Sequence, residues 1–142
     1  MQLFNTAANY RALREICGVT QQQVADVLGV SVLTVKKWEK GVNRVPDDAL
    51  SFIREAAAEH TRAVRAEVAE AASSAQPSSA LCLTYYRTQE QADLEAELAG
   101  ETAGPYQFLN AVRRSVGERL IDMGYLVSFK YPDEERPEAK RS

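Results

Sequence analysis

Thr20 to Gly41 reads TQQQVADVLGVSVLTVKKWEKG, and the fold turns on how its apolar residues are spaced. Thr20 followed by Gln23 has the form of a capping box, in which each side chain satisfies a backbone N–H at a helix start. Val24, Ala25 and Leu28 recur at helical spacing, and Gly29 suits the left-handed turn that ends such a helix. Val30 is expected to plug the core and Ser31 to cap the next helix. There Val35 and Trp38 form the buried anchor, and Gly41 stops the helix. The reading is two short helices joined by a tight turn, with Ala25 small where they cross. Val32, Leu33, Lys36 and Lys37 fall away from the buried face.

Outward from this stretch, helical patterns continue on both sides. Ala7, Tyr10, Leu13 and Cys17 predict a helix from about Thr6 to Cys17, stopped by Gly18. Pro46 with Asp47 and Asp48 opens another helix, carboxylates being favoured at the positive helix end. It is expected to reach Ala72, with Leu50, Ile53, Ala57, Thr61, Val64, Val68 and Ala71 forming one stripe that a further helix or subunit covers.

SSAQPSS has linker composition and places a linker at 73–80. LCLTYY (Leu81 to Tyr86) and YLVSFKY (Tyr125 to Tyr131) read as strands. Between them, Thr88 and Gln91 form a second capping box for a helix to Leu98, and Tyr106 to Met123 is a helix stopped by Gly124. The charged tail from Pro132 is expected to be disordered. The fold class is mainly α, with a small α+β C-terminal part of strand, helix, helix, strand. Two strands and two helices make a thin core, which argues for pairing with a second subunit through residues 81–131.

Net charge is −3, but its distribution is uneven. Residues 1–46 carry Arg11, Arg14, Lys36, Lys37, Lys40 and Arg44 against Glu15, Asp26 and Glu39, whereas 73–142 carries eight basic and eleven acidic residues. The basic end is the candidate DNA face and the acidic end faces protein or solvent. No apolar run approaches the ~20 residues that span a bilayer, and the N-terminus lacks a secretory pattern. Cys17 and Cys82 without metal or redox spacing read as reduced thiols, so a cytoplasmic protein is expected. No phosphate-cradling glycine loop or metal-ligand spacing is present, and His60 is the single histidine. The expectation is therefore no enzyme, no cofactor and no metal, with His60 partly packed in its helix rather than a ligand.

The 20–41 spacing as a whole is that of a helix-turn-helix, and residues 7–53 resemble the Cro/repressor-type (XRE) domains of bacteria and phages. The resemblance implies a lambda-repressor-like bundle. It also implies a structural ion pair, Arg14 with Glu39, and a DNA-backbone contact from Gln21 that can brace a base reader. Recognition-helix contacts fall on Ser31, Val32, Leu33, Lys36 and Lys37, and loop phosphate contacts on Asn43 and Arg44. WEKGVNRVPDDAL followed by the two strand patterns is similar to the narrower group of anti-CRISPR-associated repressors, which implies a homodimer repressing a promoter, often its own.

Each site residue also has a plain structural reading. Ser31 is a cap first, Lys36 and Lys37 can be a solvated face, and Arg11 can stand idle on its helix. Arg113 and Arg114 read as surface or dimer contacts. Two alternatives to a repressor stand beside it: an antitoxin-type regulator binding a partner through the C-terminal region, and an interaction module that reads no DNA.

Overall fold

In a computed structural model describing residues 6–76 and 78–134, the chain forms two compact units, Met1–Thr61 and Arg62–Ser142. The first holds α1 (Ala7–Cys17), α2 (Gln21–Leu28), α3 (Val32–Glu39) and the beginning of α4 (Asp47–Ser74). The second holds the remainder of α4, then β1 (Ala80–Thr84), α5 (Gln89–Leu98), α6 (Tyr106–Asp122) and β2 (Leu126–Lys130).

Caps fix the helix starts in the first unit. Thr6 accepts from the Asn9 N–H, and Thr20 and Gln23 form the full reciprocal box. Gly29 ends α2 in the left-handed region at φ 68°, where a side chain would be strained. The core gathers Tyr10, Cys17, Val24, Ala25, Val35, Trp38, Ala49, Leu50 and Ile53. Tyr10 meets Trp38 edge-on, ring centroids 6.1 Å apart, which ties α1 to α3. Val30 is half-buried rather than a full core residue, because the turn holds it at the surface of the crossing.

Along α4 the buried positions after Ile53 are Ala56, His60 and Val64, whereas Ala57 is half-buried and Thr61 exposed. The stripe expected through Ala57 and Thr61 is thus displaced by one residue. Steps of three and four residues lead from Ile53 to Val64 by either route, and two adjacent alanines give no preference. His60 is buried, more fully than the partial packing expected of it. In the second unit the stripe is covered by α6: Val64 clusters with Val112, Val116, Leu120 and Tyr125, and Val68, Ala71, Leu81 and Val127 pack around them. α4 continues through Ser73 and Ser74, whose hydroxyls donate back to the Glu70 carbonyl.

β1 and β2 pair in parallel, Ala80 with Leu126 through Thr84 with Lys130. Gly117 lets the sheet approach α6, since a Cβ there would lie 2.6 Å from Phe129 Cζ. Asn110 accepts from the Tyr86 N–H and donates to the Tyr86 carbonyl, closing the backbone beyond β1. Arg113 joins Glu67 on α4 to the Thr84 carbonyl, so its role is within the unit. Arg114 lies over the Tyr85 ring and bonds its hydroxyl. Thr88 caps α5, but Gln91 accepts from the Arg87 N–H instead of the Thr88 N–H, leaving the second capping box half formed. The tail shows a turn at Pro132–Glu134, and the rest of the expected disordered segment lies outside the described residues.

Both cysteines are free. Burial pushes the Cys17 thiol up to about 11, whereas Cys82 is half-buried. A maleimide at pH 8 should therefore modify Cys82 and spare Cys17 until denaturant is added, as counted by mass spectrometry. Equal labelling of both in the folded protein would contradict the packing of α1.

Candidate nucleic-acid interface

α3 presents two opposed faces. Val35 and Trp38 are buried, while Leu33, Lys36, Lys37 and Lys40 are exposed at i, i+3, i+4 and i+7, one stripe on the far side. Leu33 is 60% exposed at the N-terminal end of that stripe. Val32 is half-buried and lies on its flank, so Leu33 is the better placed of the two apolar residues singled out from sequence. Lys36 and Lys37 occupy the last turn of α3, where they also suit the negative helix end.

Ser31 accepts from the Thr34 N–H at 3.2 Å and meets the Thr34 hydroxyl at 3.0 Å. It is a helix cap, as its position suggested. Beyond α3 the chain turns through Gly41, φ 77°, with the Val42 N–H bonded to the Lys37 carbonyl. This leaves Asn43 and Arg44 exposed on the loop, beyond the lysine stripe.

Behind the stripe lies the Arg14–Glu39 pair. The guanidinium donates through Nε at 2.6 Å and Nη2 at 2.8 Å, one to each carboxylate oxygen, and through Nη1 to the Val19 carbonyl at 3.1 Å. The side chains are 13% and 4% exposed. Hydrogen bonding to Glu39 raises the Arg14 pKa further, against the opposing effect of burial. The same cluster, chiefly through burial and then the Glu39 charge, pushes the Tyr10 hydroxyl up to about 12. Gln21 completes it by donating from Nε2 to Glu39 Oε1 at 3.2 Å. One carboxylate thus joins α1, α2 and α3, and it holds the first side chain of α2 in place.

An open groove of about 730 Å³ runs past this cluster, lined among others by Arg11, Arg14, Gln21, Lys36 and Lys40. It adds Arg11 and Lys40 to the cationic surface. The charge count pointed to both, though the resemblance assigned neither a contact. Arg11 is an exposed partner of Glu15 one turn on, a weak pair that competes little for a phosphate. The groove also holds the N-terminal end of α2, whose partial positive charge favours an anion. Among the described residues no group of His, Cys, Asp and Glu is arranged to hold a metal ion, and no helix is long and apolar enough to cross a membrane.

No curated protein matches the chain closely enough to stand as a relative. A family model does: the one described as "Helix-turn-helix" matches residues 11–56, a span that starts in α1, covers α2 and α3 and ends in α4. Residues 11–56 are therefore a helix-turn-helix domain of the Cro/repressor type, in which α2 and α3 flank the turn and α3 carries the exposed face.

Proposed function

We propose that the chain is a homodimeric, sequence-specific DNA-binding repressor that acts in the cytoplasm on an inverted-repeat operator, its own promoter included. The observation that carries this reading is the α3 stripe of Leu33, Lys36, Lys37 and Lys40, set opposite the anchors Val35 and Trp38. α3 enters the major groove, and half-sites lie about one turn, ~10 bp, or a small multiple apart. Gln21, held by Glu39, meets the DNA backbone. Ser31 adds a phosphate contact to its capping role, and Asn43 and Arg44 grip phosphate from the loop. Lys36 and Lys37 meet phosphate or guanine, and Val32 and Leu33 pack on thymine methyl groups. Residues 1–72 serve as the reading head with its long helix, and 81–131 as the dimerisation region. Repression follows from covering promoter elements.

A mobility shift with footprinting on the DNA upstream of its gene tests the proposal. Salt-sensitive protection of an inverted repeat is expected; uniform weak binding to all DNA, or none, overturns it. Lys37→Ala should cost ~1–3 kcal/mol and relax one operator position, as read by competition among operator variants. Replacing half-site thymines by uracil should weaken binding at the position that Leu33 reaches. Leu33→Ala should abolish that difference.

A further inference from the structure

α5 is built the wrong way round for a helix that packs by burying its own apolar residues. Its inward side carries buried Ala92, with Gln89, Gln91, Glu95 and Ala96 half-buried. Its leucines face away: Leu94 is 58% and Leu98 81% exposed. Polar contacts fix this pose. Gln89 donates to the Gly104 carbonyl at 2.9 Å and accepts from the Tyr106 N–H at 2.9 Å. Tyr86 donates its hydroxyl to Glu95 at 2.6 Å, and Thr88 caps the first turn. Burying a leucine side chain is favourable, so a helix free to roll would turn these two inward. Hydrogen bonds on the inner side hold them out.

Charge says what they are held out for. Glu90, Glu97 and Glu101 are exposed around the leucines, and no lysine or arginine occurs from Thr88 to Val112. A second copy placed on this face by a two-fold axis would set carboxylates against carboxylates. Ile121, Met123 and Leu126 are also exposed, and the chain beside them carries both signs of charge, Arg119 with Glu118 and Asp122, which suits self-association better. The acidic face of α5 complements a cationic surface.

We propose that α5 docks by its outward face into an apolar groove of a different protein, rimmed by lysine and arginine. Leu94 and Leu98, one turn apart, enter the groove, and Glu90, Glu97 and Glu101 meet the rim. Electrostatic attraction speeds the encounter, and the leucines set the lifetime of the complex. This contact is independent of whether α3 reads DNA.

The test uses the full chain and a defined probe, a fluorescent synthetic helical-hairpin peptide whose two helices form a leucine-lined groove rimmed by lysines. A control peptide of equal charge carries glutamine for leucine. The leucine peptide should bind about tenfold or more tightly than the control. Leu94→Ser with Leu98→Ser should erase that margin, and Glu90→Gln with Glu97→Gln should flatten the salt dependence. All four positions are on the exposed side of α5, so circular dichroism should be unchanged. Equal affinity for both peptides, or unchanged affinity in the serine variant, overturns the proposal. So does a change in the chain's own sedimentation caused by the serine variant, which would assign the face to a second copy.

Discussion

Glu39→Ala should lower the stability of the reading head by ~3–5 kcal/mol, because removing one partner leaves Arg14 charged and poorly solvated behind α3. That loss is comparable with the whole stability of many small domains. Trp38, the single tryptophan, sits in this core and reports urea unfolding directly. Replacing both partners, Arg14→Leu with Glu39→Met, should restore stability to within about 1 kcal/mol of the wild type, since no charge remains to be solvated. The double variant nonetheless frees Gln21, whose amide loses its acceptor. DNA affinity should then fall about three- to tenfold in a folded protein, the cost of ordering one side chain on binding. If Glu39→Ala costs less than about 1 kcal/mol, the pair is not what joins the three helices.

Removing the cationic stripe should have the largest effect on DNA binding. With Lys36, Lys37, Lys40 and Arg44 all replaced by alanine, up to four phosphate or base contacts disappear from exposed positions. Each phosphate contact contributes about −0.9 to the slope of log affinity against log salt. Between 50 and 200 mM salt the wild type should therefore lose about a hundredfold more affinity than the variant for each protomer bound, about ten-thousandfold for a dimer on both half-sites. These side chains are exposed, so the unfolding midpoint should shift little. Parallel salt plots for the two proteins would remove the stripe from the interface.

Local chemistry was legible where one or two neighbouring residues decide the outcome. Thr20 with Gln23, Ser31, Gly18 and Gly29 each act within one turn of chain, and each stands where its spacing placed it. The opposition of Val35 and Trp38 to Leu33 and the lysines is likewise a property of a single helix. Where two registers were equally apolar, as at Ala56 and Ala57, the pattern left the choice to tertiary packing. Gln91 shows the same limit on a smaller scale, reaching the Arg87 N–H where the spacing favoured Thr88. The Arg14–Glu39 pair was reachable only through resemblance, since its partners lie far apart in the chain. The hydrogen bond from Gln21 that completes the cluster depends on three helices meeting. The outward turn of α5 was hidden for another reason: its orientation is set by Gln89 and Tyr86, polar residues that an apolar count passes over.

The parallel pairing of β1 and β2 has a consequence for the order of events as the chain emerges during synthesis. The helix-turn-helix joins neighbours in sequence, a topology that folds fast. Leu81 and Leu83, by contrast, wait for Val127 and Phe129, and the Tyr86 backbone waits for Asn110. Until α6 and β2 arrive, LCLTYY is an unpaired apolar strand, the kind of segment through which nascent chains join one another. A chain truncated before Leu126 should therefore carry a folded reading head on an aggregation-prone remainder. The amide of Tyr85, just beyond the strand and bonded to the Lys130 carbonyl, should be among the last to gain protection from hydrogen exchange.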